Sequence, residues 1–381
     1  MRVLWVPSWY PTADNPANGS FFAEQVEMLR ACGMDVRVAV TTSATTHEIK
    51  QLESLKPLSI PDGCSLAVPV IPRSIVPGDT AIARLAANKI ATFFNGQNWK
   101  PDVVHAHSVF PAILIARQLA RVWKVRFGIT EHRPSTLTIN PQGFRYKAIR
   151  EAVTKAAFRF TVSGDMASAL ATFYHSKPFI PCRLPAASNF FHQDLYRGTS
   201  TKFTFGHASS LDSNKCPANI IKAFSQLETT KACELRMAGG TSTEVEELTA
   251  LTESLGVSEQ VLLLGQQPRE LMPKFMSELD CFILASERES GGVVMAEAGA
   301  CGTPCISTAT PGGKFYITKE NGSLVPIGDI ASLKNAMQHH LDLGKPSLKL
   351  RAAIREQARD TCSPHAFAKF HSNCYQQVTK A

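Results

Sequence analysis

The stretch LDCFILASERESGGVVMAEAGACGTP, residues 279–304, is decisive for the fold. Residues 281–285 form a short, unbroken apolar run, which is typical of a strand buried on both faces of a parallel sheet. Polar residues and Gly291-Gly292 follow, and residues 293–300 have helical character, with Ser290 as the candidate N-cap and Gly302 placed to end the helix. We therefore predict a strand, a glycine loop and a helix whose N-terminus can bind an anion.

Two carboxylates accompany this loop in an E-x7-E pattern. Glu289 precedes the glycines, and Glu297 lies two turns into the predicted helix. A phosphate alone would be repelled by both carboxylates, whereas a ligand with phosphates and hydroxyls could use the N–H groups for the former and the carboxylates for the latter. The alternative is a solvated acidic loop followed by an ordinary helical glutamate.

The residue order around this pair resembles the E-x7-E region of the retaining GT-B glycosyltransferases of glycosyltransferase family 4. That region reads E-x-x-G-x-x-x-x-E-A-x-A-x-G-x-P-V-I. This chain matches it at Gly292, Glu297, Ala298, Ala300, Gly302, Pro304 and Ile306. The resemblance implies transfer of a sugar from a nucleotide-diphosphate donor, with retention at the anomeric carbon. It also implies an α/β protein of the GT-B fold, with two doubly wound Rossmann-like domains facing a central cleft.

Strands and helices alternate in both halves of the chain, which favours parallel, doubly wound sheets with ligands at the carboxyl ends of the strands. We predict strands at residues 2–6, 36–40, 103–106, 125–130, 160–162, 203–208, 235–238, 261–264, 281–285 and 305–307. We predict helices at residues 20–32, 111–122, 144–157, 215–227 and 365–378. The expected domains are an acceptor-side domain over residues 1–190, on which the C-terminal helix 365–381 packs back, and a donor domain over residues 191–364.

Composition fits a soluble protein of two ordinary domains: 381 residues, 44% hydrophobic and 19% charged. No apolar run approaches the roughly 20 residues of a membrane span, and the first residues lack the apolar segment of a signal peptide. The ten cysteines form no CxxC pair, so we expect buried thiols in a reducing cytosol. His105 and His107 have no further ligands at zinc-site spacing, so no metal is expected.

Segments of the first half also resemble the family. The loop PSWYPTADNPANG ends at Gly19, where a missing side chain would let the backbone approach a phosphate, although an irregular surface loop is the alternative. The sequence DVVHAH ends a strand, and its second histidine, His107, matches a family residue near the transferred sugar. The sequence TEH, residues 130–132, resembles the family's T-x-H, so we expect His132 and Arg133 on the acceptor side.

The segment SSLDSNK, residues 209–215, resembles the family's G-R-L…K-G, in which Arg and Lys neutralise the diphosphate. Lys215 aligns with the Lys, but Ser210 stands at the Arg position, which removes charge-assisted hydrogen bonds. A solvated lysine at a helix start is the alternative for Lys215. We expect Lys215 and the N–H groups around Gly291 and Gly292 to stabilise the leaving phosphate without a metal or other cofactor.

The resemblance thus implies a catalytic set of Glu289, which orients the sugar hydroxyls, Lys215, and His107, which would approach from the other domain on closure. Glu297 would hold the ribose. The expected donor-binding residues are Gly19, Ser210, Lys215, Gly265, Ser290, Gly291, Gly292, Val293 and Glu297. The donor would be a UDP- or GDP-sugar, and the acceptor a glycan or lipid-linked intermediate of bacterial surface polysaccharide or lipopolysaccharide synthesis.

Two other functions fit the same fold. One is a hydrolysing sugar-nucleotide epimerase, which would convert the donor without an acceptor. The other is a catalytically weak binding protein derived from a transferase, suggested by Ser210 and by Ala186, which departs from the family's P-N-G-V-D pattern. Tight nucleotide binding without turnover would favour the second.

Positive charge is concentrated in the first half. Residues 1–190 hold 21 Lys or Arg and 12 Asp or Glu, a difference of +9, and residues 191–381 hold 19 and 20, a difference of −1. The basic clusters are Arg117, Arg121, Lys124, Arg126, Arg145, Lys147, Arg150, Lys155 and Arg159. Such residues each add about 1 kcal/mol at an anionic leaflet, and no nucleic-acid module is present. We expect a cytoplasmic protein that binds the inner face of the membrane peripherally, with an ordinary solvated basic face as the alternative.

Overall fold

The computed structural model describes residues 1–11, 18–44, 57–70, 78–194, 201–229 and 231–380. The chain divides into two compact units. Unit 1 comprises Met1–Cys182 and Phe367–Ala381, and unit 2 comprises Arg183–Ala366. Each unit is built on its own sheet, which is parallel in unit 2 and parallel except for one edge strand in unit 1.

The sheet of unit 1 has the strand order β3-β4-β2-β1-β5-β6-β7-β8. Its strands are β1 (Arg2–Pro7), β2 (Asp35–Ala44), β3 (Leu58–Ile60), β4 (Gly63–Pro69), β5 (Val103–His107), β6 (Arg126–Glu131), β7 (Phe158–Thr161) and β8 (Ile180–Pro181). The connections run outward from β1 on one side and from β5 on the other. The carboxyl ends of β1 and β5 therefore flank a topological switch point, where open α/β sheets bind ligands.

The sheet of unit 2 has the order β11-β10-β9-β12-β13-β14, with every pair parallel. Its strands are β9 (Phe203–Ser209), β10 (Cys233–Gly239), β11 (Val261–Leu263), β12 (Cys281–Leu284), β13 (Cys305–Thr308) and β14 (Gly322–Val325). Counted within the unit, this is the 3-2-1-4-5-6 order of a Rossmann sheet. Its switch point lies between β9 and β12.

Helices cover both sheets. They are α1 (Ser20–Ala31), α2 (Asp79–Asn95), α3 (Leu114–Trp123), α4 (Phe144–Lys155), α5 (Gly164–Tyr174), α6 (Ser188–Phe191), α7 (Pro217–Phe224), α8 (Ser242–Ser254), α9 (Met272–Ser277), α10 (Val293–Ala300), α11 (Pro311–Tyr316), α12 (Ile330–Leu343), α13 (Leu348–Cys362) and α14 (Pro364–Lys380). Of the described helices, none has both the length and the apolar character that crossing a bilayer requires.

The burial of β12 explains its unbroken apolar run. Cys281 and Ile283 belong to one hydrophobic cluster of unit 2, and Phe282 and Leu284 belong to the other. Because successive strand residues point to opposite faces, helices on both faces require an apolar residue at every position. The strand expected at residues 281–285 is confirmed by this arrangement.

Several predicted boundaries shift. Unit 1 ends at Cys182 rather than at residue 190, because Ala186, Phe190 and Phe191 pack in the core of unit 2. The helix expected over residues 215–227 begins at Pro217, since a short turn over Ser213–Lys215 precedes it. Strands β3 and β4 and helix α2 lie in a region that the apolar pattern left unassigned.

Candidate functional site

The loops that follow β9 and β12 lie side by side, because these strands are neighbours at the switch point of unit 2. The Lys215 ammonium lies 2.7 Å from Oε2 of Glu289, and both side chains are mostly buried. Asn214 joins the loops as well: its amide donates to the Arg288 carbonyl at 3.0 Å and its Oδ1 accepts from the Arg288 N–H at 3.1 Å. The structure thus unites two segments that are 74 positions apart in the chain.

A buried histidine supports the loop after β9. His207 Nδ1 lies 2.8 Å from the Ile283 carbonyl, which can only accept, so Nδ1 carries the proton. Nε2 therefore accepts from the Ser209 hydroxyl at 2.7 Å, and Ser209 Oγ in turn accepts from the Leu211 N–H at 3.0 Å. Burial lowers the pKa of His207 to about 4, which keeps the ring neutral.

Asp212 shapes the turn that carries Lys215. Its carboxylate accepts hydrogen bonds from the backbone N–H groups of Asn214 and Lys215. The Ser210 hydroxyl donates to Asp212 at 2.5 Å, and this bond is the main cause that lowers the pKa of Asp212. Ser210, which stands at the family's Arg position, therefore holds the turn in shape.

The glycine loop is built around Glu289. Its Oε1 accepts from the Gly292 N–H at 3.1 Å, and its carbonyl accepts from the Gly312 N–H at 2.8 Å. Gly292 has a φ of 52° and is the N-cap of α10, so the expectation that Ser290 caps this helix is wrong. This positive φ lies in the left-handed region that residues with a side chain rarely adopt, which explains why glycine stands there.

Glu297 is buried in α10, with its carboxylate 2.5 Å from the Arg269 guanidinium. The same guanidinium lies 5.0 Å from the Phe190 ring centroid. The carboxylate expected at the ribose therefore has a cationic partner that the sequence pattern did not indicate. Gly265, also expected in the donor site, lies two residues after the end of β11, which is two strands away from β9, and its carbonyl accepts from the Gly239 N–H at 2.7 Å.

The switch point of unit 1 contains a cluster of buried rings. The Trp5 N–H donates to the Tyr375 hydroxyl, and that hydroxyl is hydrogen-bonded to His105 Nδ1 at 2.6 Å. His105 Nε2 is hydrogen-bonded to the Thr130 hydroxyl at 2.8 Å. This chain of bonds ties helix α14 to β1, β5 and β6.

His107 lies beside this network, with its Nδ1 3.2 Å from Nε2 of His132. Both rings are buried, and their other nitrogens have no hydrogen-bond partner among the described residues. Burial holds the pKa of His107 well below its usual value and lowers that of His132 to about 3. The two histidines predicted at the sugar and acceptor sides are thus adjacent and neutral.

Gly19 and Arg133 both lie against Trp9. Gly19 caps α1 with a φ of 77°, and a Cβ there would lie 2.7 Å from Trp9 Cδ1. The Arg133 guanidinium stacks on the same indole, 3.5 Å from the ring centroid. Close packing thus accounts for glycine at position 19. Part of the preceding loop, residues 12–17, lies outside the described residues.

Sequence comparison identifies the family. Residues 196–361 match the family of glycosyl transferases group 1, and residues 19–178 match the glycosyl transferase 4-like domain. The matches fall on unit 2 and unit 1 in turn and together cover most of the chain. The chain belongs to the group 1 glycosyltransferases.

Among the relatives of this glycosyltransferase is TuaC of Bacillus subtilis, named as a teichuronic acid biosynthesis glycosyltransferase, which is 23% identical over 100% of this chain and 99% of its own length. The N-acetyl-alpha-D-glucosaminyl L-malate synthase of Bacillus anthracis is 28% identical, but the match spans only 40% of this chain and 41% of that enzyme. Anabaena HepE, solved in complex with UDP, superimposes with a TM-score of 0.72 at 15% identity, over 99% of this chain and 100% of that one. Both units together have the GT-B fold.

Not all residues of the predicted basic clusters are exposed in the structure. Arg117 pairs with Glu151 at 2.5 Å, Arg145 pairs with Asp79 at 2.9 Å, and the buried Arg159 donates to backbone carbonyl groups. Arg117 and Arg145 are paired with carboxylates of unit 1 and Arg159 is buried, so these three arginines are not part of an exposed basic face. The exposed members are Arg121, Lys124, Arg126, Lys147, Arg150 and Lys155, and Lys155 also contacts Glu151 at 2.7 Å. Elsewhere, no group of three or more His, Cys, Asp or Glu side chains in the described ranges is placed to hold a metal.

Proposed function

We propose that this protein transfers a sugar from a nucleoside-diphosphate sugar to a glycan or lipid-linked acceptor, with retention at the anomeric carbon. The observation that carries the proposal is the meeting of Lys215, Glu289 and Gly292 at the switch point of unit 2. A cation, a carboxylate and a helix N-terminus together match a donor that has phosphates and hydroxyls.

Lys215 is the side chain that neutralises the diphosphate in this proposal. An ammonium group has three N–H donors, and the contact with Glu289 uses one of them. The others can bind phosphate oxygens, so charge that develops on the leaving group is stabilised by Lys215 and by the N-terminus of α10. Glu289, held by the Gly292 N–H, orients hydroxyls of the transferred sugar.

Glu297 binds the ribose hydroxyls, and Arg269 holds its carboxylate in place. Because Arg269 also stacks near Phe190, the ion pair is anchored to the core of unit 2. The UDP in the HepE structure supports a uridine nucleotide as the first donor to test.

Unit 1 provides the acceptor side through His132 and Arg133, with His107 near the reacting sugar. The name of TuaC supports a surface polysaccharide as the product. In this proposal, the six exposed members of the basic clusters hold a lipid-linked acceptor at an anionic membrane surface on the cytoplasmic side. No metal or other cofactor takes part in the proposed reaction.

The test is a thermal-shift screen of UDP-, GDP-, ADP- and CMP-sugars, followed by NMR of the product's anomeric configuration. A ligand at about 100 times its dissociation constant adds about 2.7 kcal/mol of stability. Glu297→Gln should lose at least half of the shift, and Glu289→Ala should keep the shift by the free nucleotide while losing turnover. Glu247→Gln, an exposed residue of α8, is the matched control.

The outcomes separate the rival functions. Donor conversion without acceptor would indicate a hydrolysing epimerase, and a shift without turnover on any acceptor would indicate a binding protein. If both carboxylate variants shift and turn over like the wild type, the donor site lies elsewhere.

A further inference from the structure

Unit 1 contains a cavity of about 390 Å³ at the carboxyl ends of β5 and β6. Its volume lies within the range of about 300–1,000 Å³ that is typical of small-molecule sites. Its walls come from Ser43 of β2, from residues 108–110, after β5, and from residues between Glu131, the last residue of β6, and Arg145. It therefore opens beside the switch point of the sheet, where ligands of such sheets bind.

The inner wall of this cavity is formed by Glu131 and Ser108, both almost fully buried. Glu131 accepts from the Val109 N–H at 2.7 Å and from the His132 and Arg133 N–H groups at 2.8 Å each. One carboxylate thus fixes the start of both loops. It is a positioning residue for the cavity wall.

Ser108 has an unusual backbone conformation and an unpaired side-chain hydroxyl. Its backbone has a φ of 72°, which a residue with a side chain rarely adopts. Its hydroxyl is buried and has no hydrogen-bond partner among the described residues. Since buried hydroxyls are nearly always paired, an unsatisfied one in a cavity wall points to a ligand that supplies the partner.

The cation of the cavity is Arg133, which has the Glu131 carboxylate as its charged neighbour. Its guanidinium lies over Trp9, 3.5 Å from the ring centroid, and donates no hydrogen bond within the described part of the chain. Arg145, on the same wall, is instead neutralised by Asp79 and stacks on Phe110. An arginine fork of this kind matches the two oxygens of a carboxylate or a phosphate.

We propose that this cavity binds the acceptor through an acidic sugar, with a carboxylate or phosphate on Arg133 and a hydroxyl on Ser108. Phe110 and Ile139 supply apolar wall for the face of the sugar ring. The assignment of the bound molecule as acceptor rests on the proposed function, whereas the binding chemistry rests on the cavity itself.

The test is calorimetric titration of the full chain, without nucleotide, with D-glucuronate, glucose 1-phosphate and neutral glucose. We expect either acid to bind at least about tenfold more tightly than glucose, because a charged hydrogen bond adds that much. Arg133→Gln should remove this preference, and Arg84→Gln, an exposed arginine of α2, should keep it. Binding of only one acid would support the proposal and identify the anionic group.

Two further variants make the result specific. Ser108→Ala should weaken both acids and glucose alike, since the hydroxyl contact is independent of charge. Lys215→Ala should leave binding of the acids unchanged. If this variant no longer binds the acids, the anion site lies in unit 2 and the proposal is overturned. Circular dichroism should verify that each variant is folded. If Arg133→Gln is poorly folded, Arg133→Lys replaces it in the test. This variant keeps the charge but not the forked geometry of the guanidinium, so its affinity for the acids should be intermediate.

Equal binding of glucose and both acids, or normal acid binding by Arg133→Gln, would overturn the inference. The nucleotide thermal shift separates this failure from failure of the proposed function. A normal nucleotide shift with no acid preference rejects the cavity alone. Acid binding with no nucleotide shift rejects the donor reaction and leaves the cavity as an anion site.

Discussion

The two units each have a switch point at the carboxyl edge of their own sheet, but the side chains at the two points differ in charge and burial. In unit 2, the loops carry Lys215 and Glu289 as a partly accessible ion pair. In unit 1, the loops carry His107 and His132 as neutral, buried rings. Topology therefore fixes where ligands approach, and side chains decide what they meet.

The difference has an energetic basis. The Lys215–Glu289 ion pair keeps some contact with solvent, so a charged ligand can reach the ammonium and replace part of its contact with the carboxylate. A buried imidazole cannot take a proton without paying for desolvation, so it can only offer neutral hydrogen bonds. We expect unit 2 to respond most to removal of charge and unit 1 to respond most to pH.

The largest expected effect is loss of Lys215. Lys215→Ala should reduce turnover by at least about a hundredfold, since a charged hydrogen bond to a developing phosphate charge is worth several kcal/mol. The measurement is kcat/KM for the nucleotide-sugar that the thermal screen selects. Lys222→Ala, an exposed lysine of α7, should remain near wild type.

The ion pair adds a condition to this prediction. Glu289→Ala and Lys215→Ala should be non-additive in a double-mutant cycle, because each variant removes the partner of the other. Additive losses, or near-normal turnover of Lys215→Ala, would show that the pair does not act on the donor.

Sequence predicted the strands with unbroken apolar runs, such as β12, because burial on both faces leaves no freedom at any position. It missed β4, whose residues alternate between buried and half-buried, and β3, an exposed strand of three residues at the sheet edge. A short edge strand has too little apolar pattern to be distinguished from a loop.

The site was predictable in its residues but not in their partners. The E-x7-E pattern indicated Glu289 and Glu297, yet Arg269 lies 28 positions from Glu297 and has no motif of its own. The supporting roles of His207 and Asn214 depend on contacts between neighbouring strands. Such contacts follow from the strand order, which a single sequence does not display.

The second prediction uses the buried histidines of unit 1. Burial lowers the folded-state pKa of His371 to about 4, below the value of about 6.5 in an unfolded chain. Its contribution to stability is therefore complete above pH 6.5 and is lost as the pH falls toward 4. Glu131 acts in the opposite direction, because burial raises its pKa to about 7 and its contribution is lost as the pH rises.

His371→Phe should reduce the pH dependence of the unfolding free energy by about 1.4 kcal/mol per pH unit between about pH 6 and 4.5. Urea unfolding across this range measures it. His365→Phe, an exposed position on the same helix, should keep the wild-type slope. An unchanged slope in His371→Phe would mean that burial does not lower the folded-state pKa of this histidine.

The smallest expected effect concerns Asn214, which ties the two loops of unit 2 through exposed hydrogen bonds, whereas buried Glu131 ties those of unit 1. Asn214→Ala removes both of its side-chain bonds to Arg288, at a cost of about 1 kcal/mol. Because the loss loosens the loop that positions Glu289, KM for the donor should rise about fivefold while global stability changes little. Hydrogen exchange at residues 285–292 should accelerate in parallel. The neighbouring Ser213→Ala is the control, and unchanged KM together with unchanged exchange in Asn214→Ala would show that the Asn214 side chain does not hold the loops together.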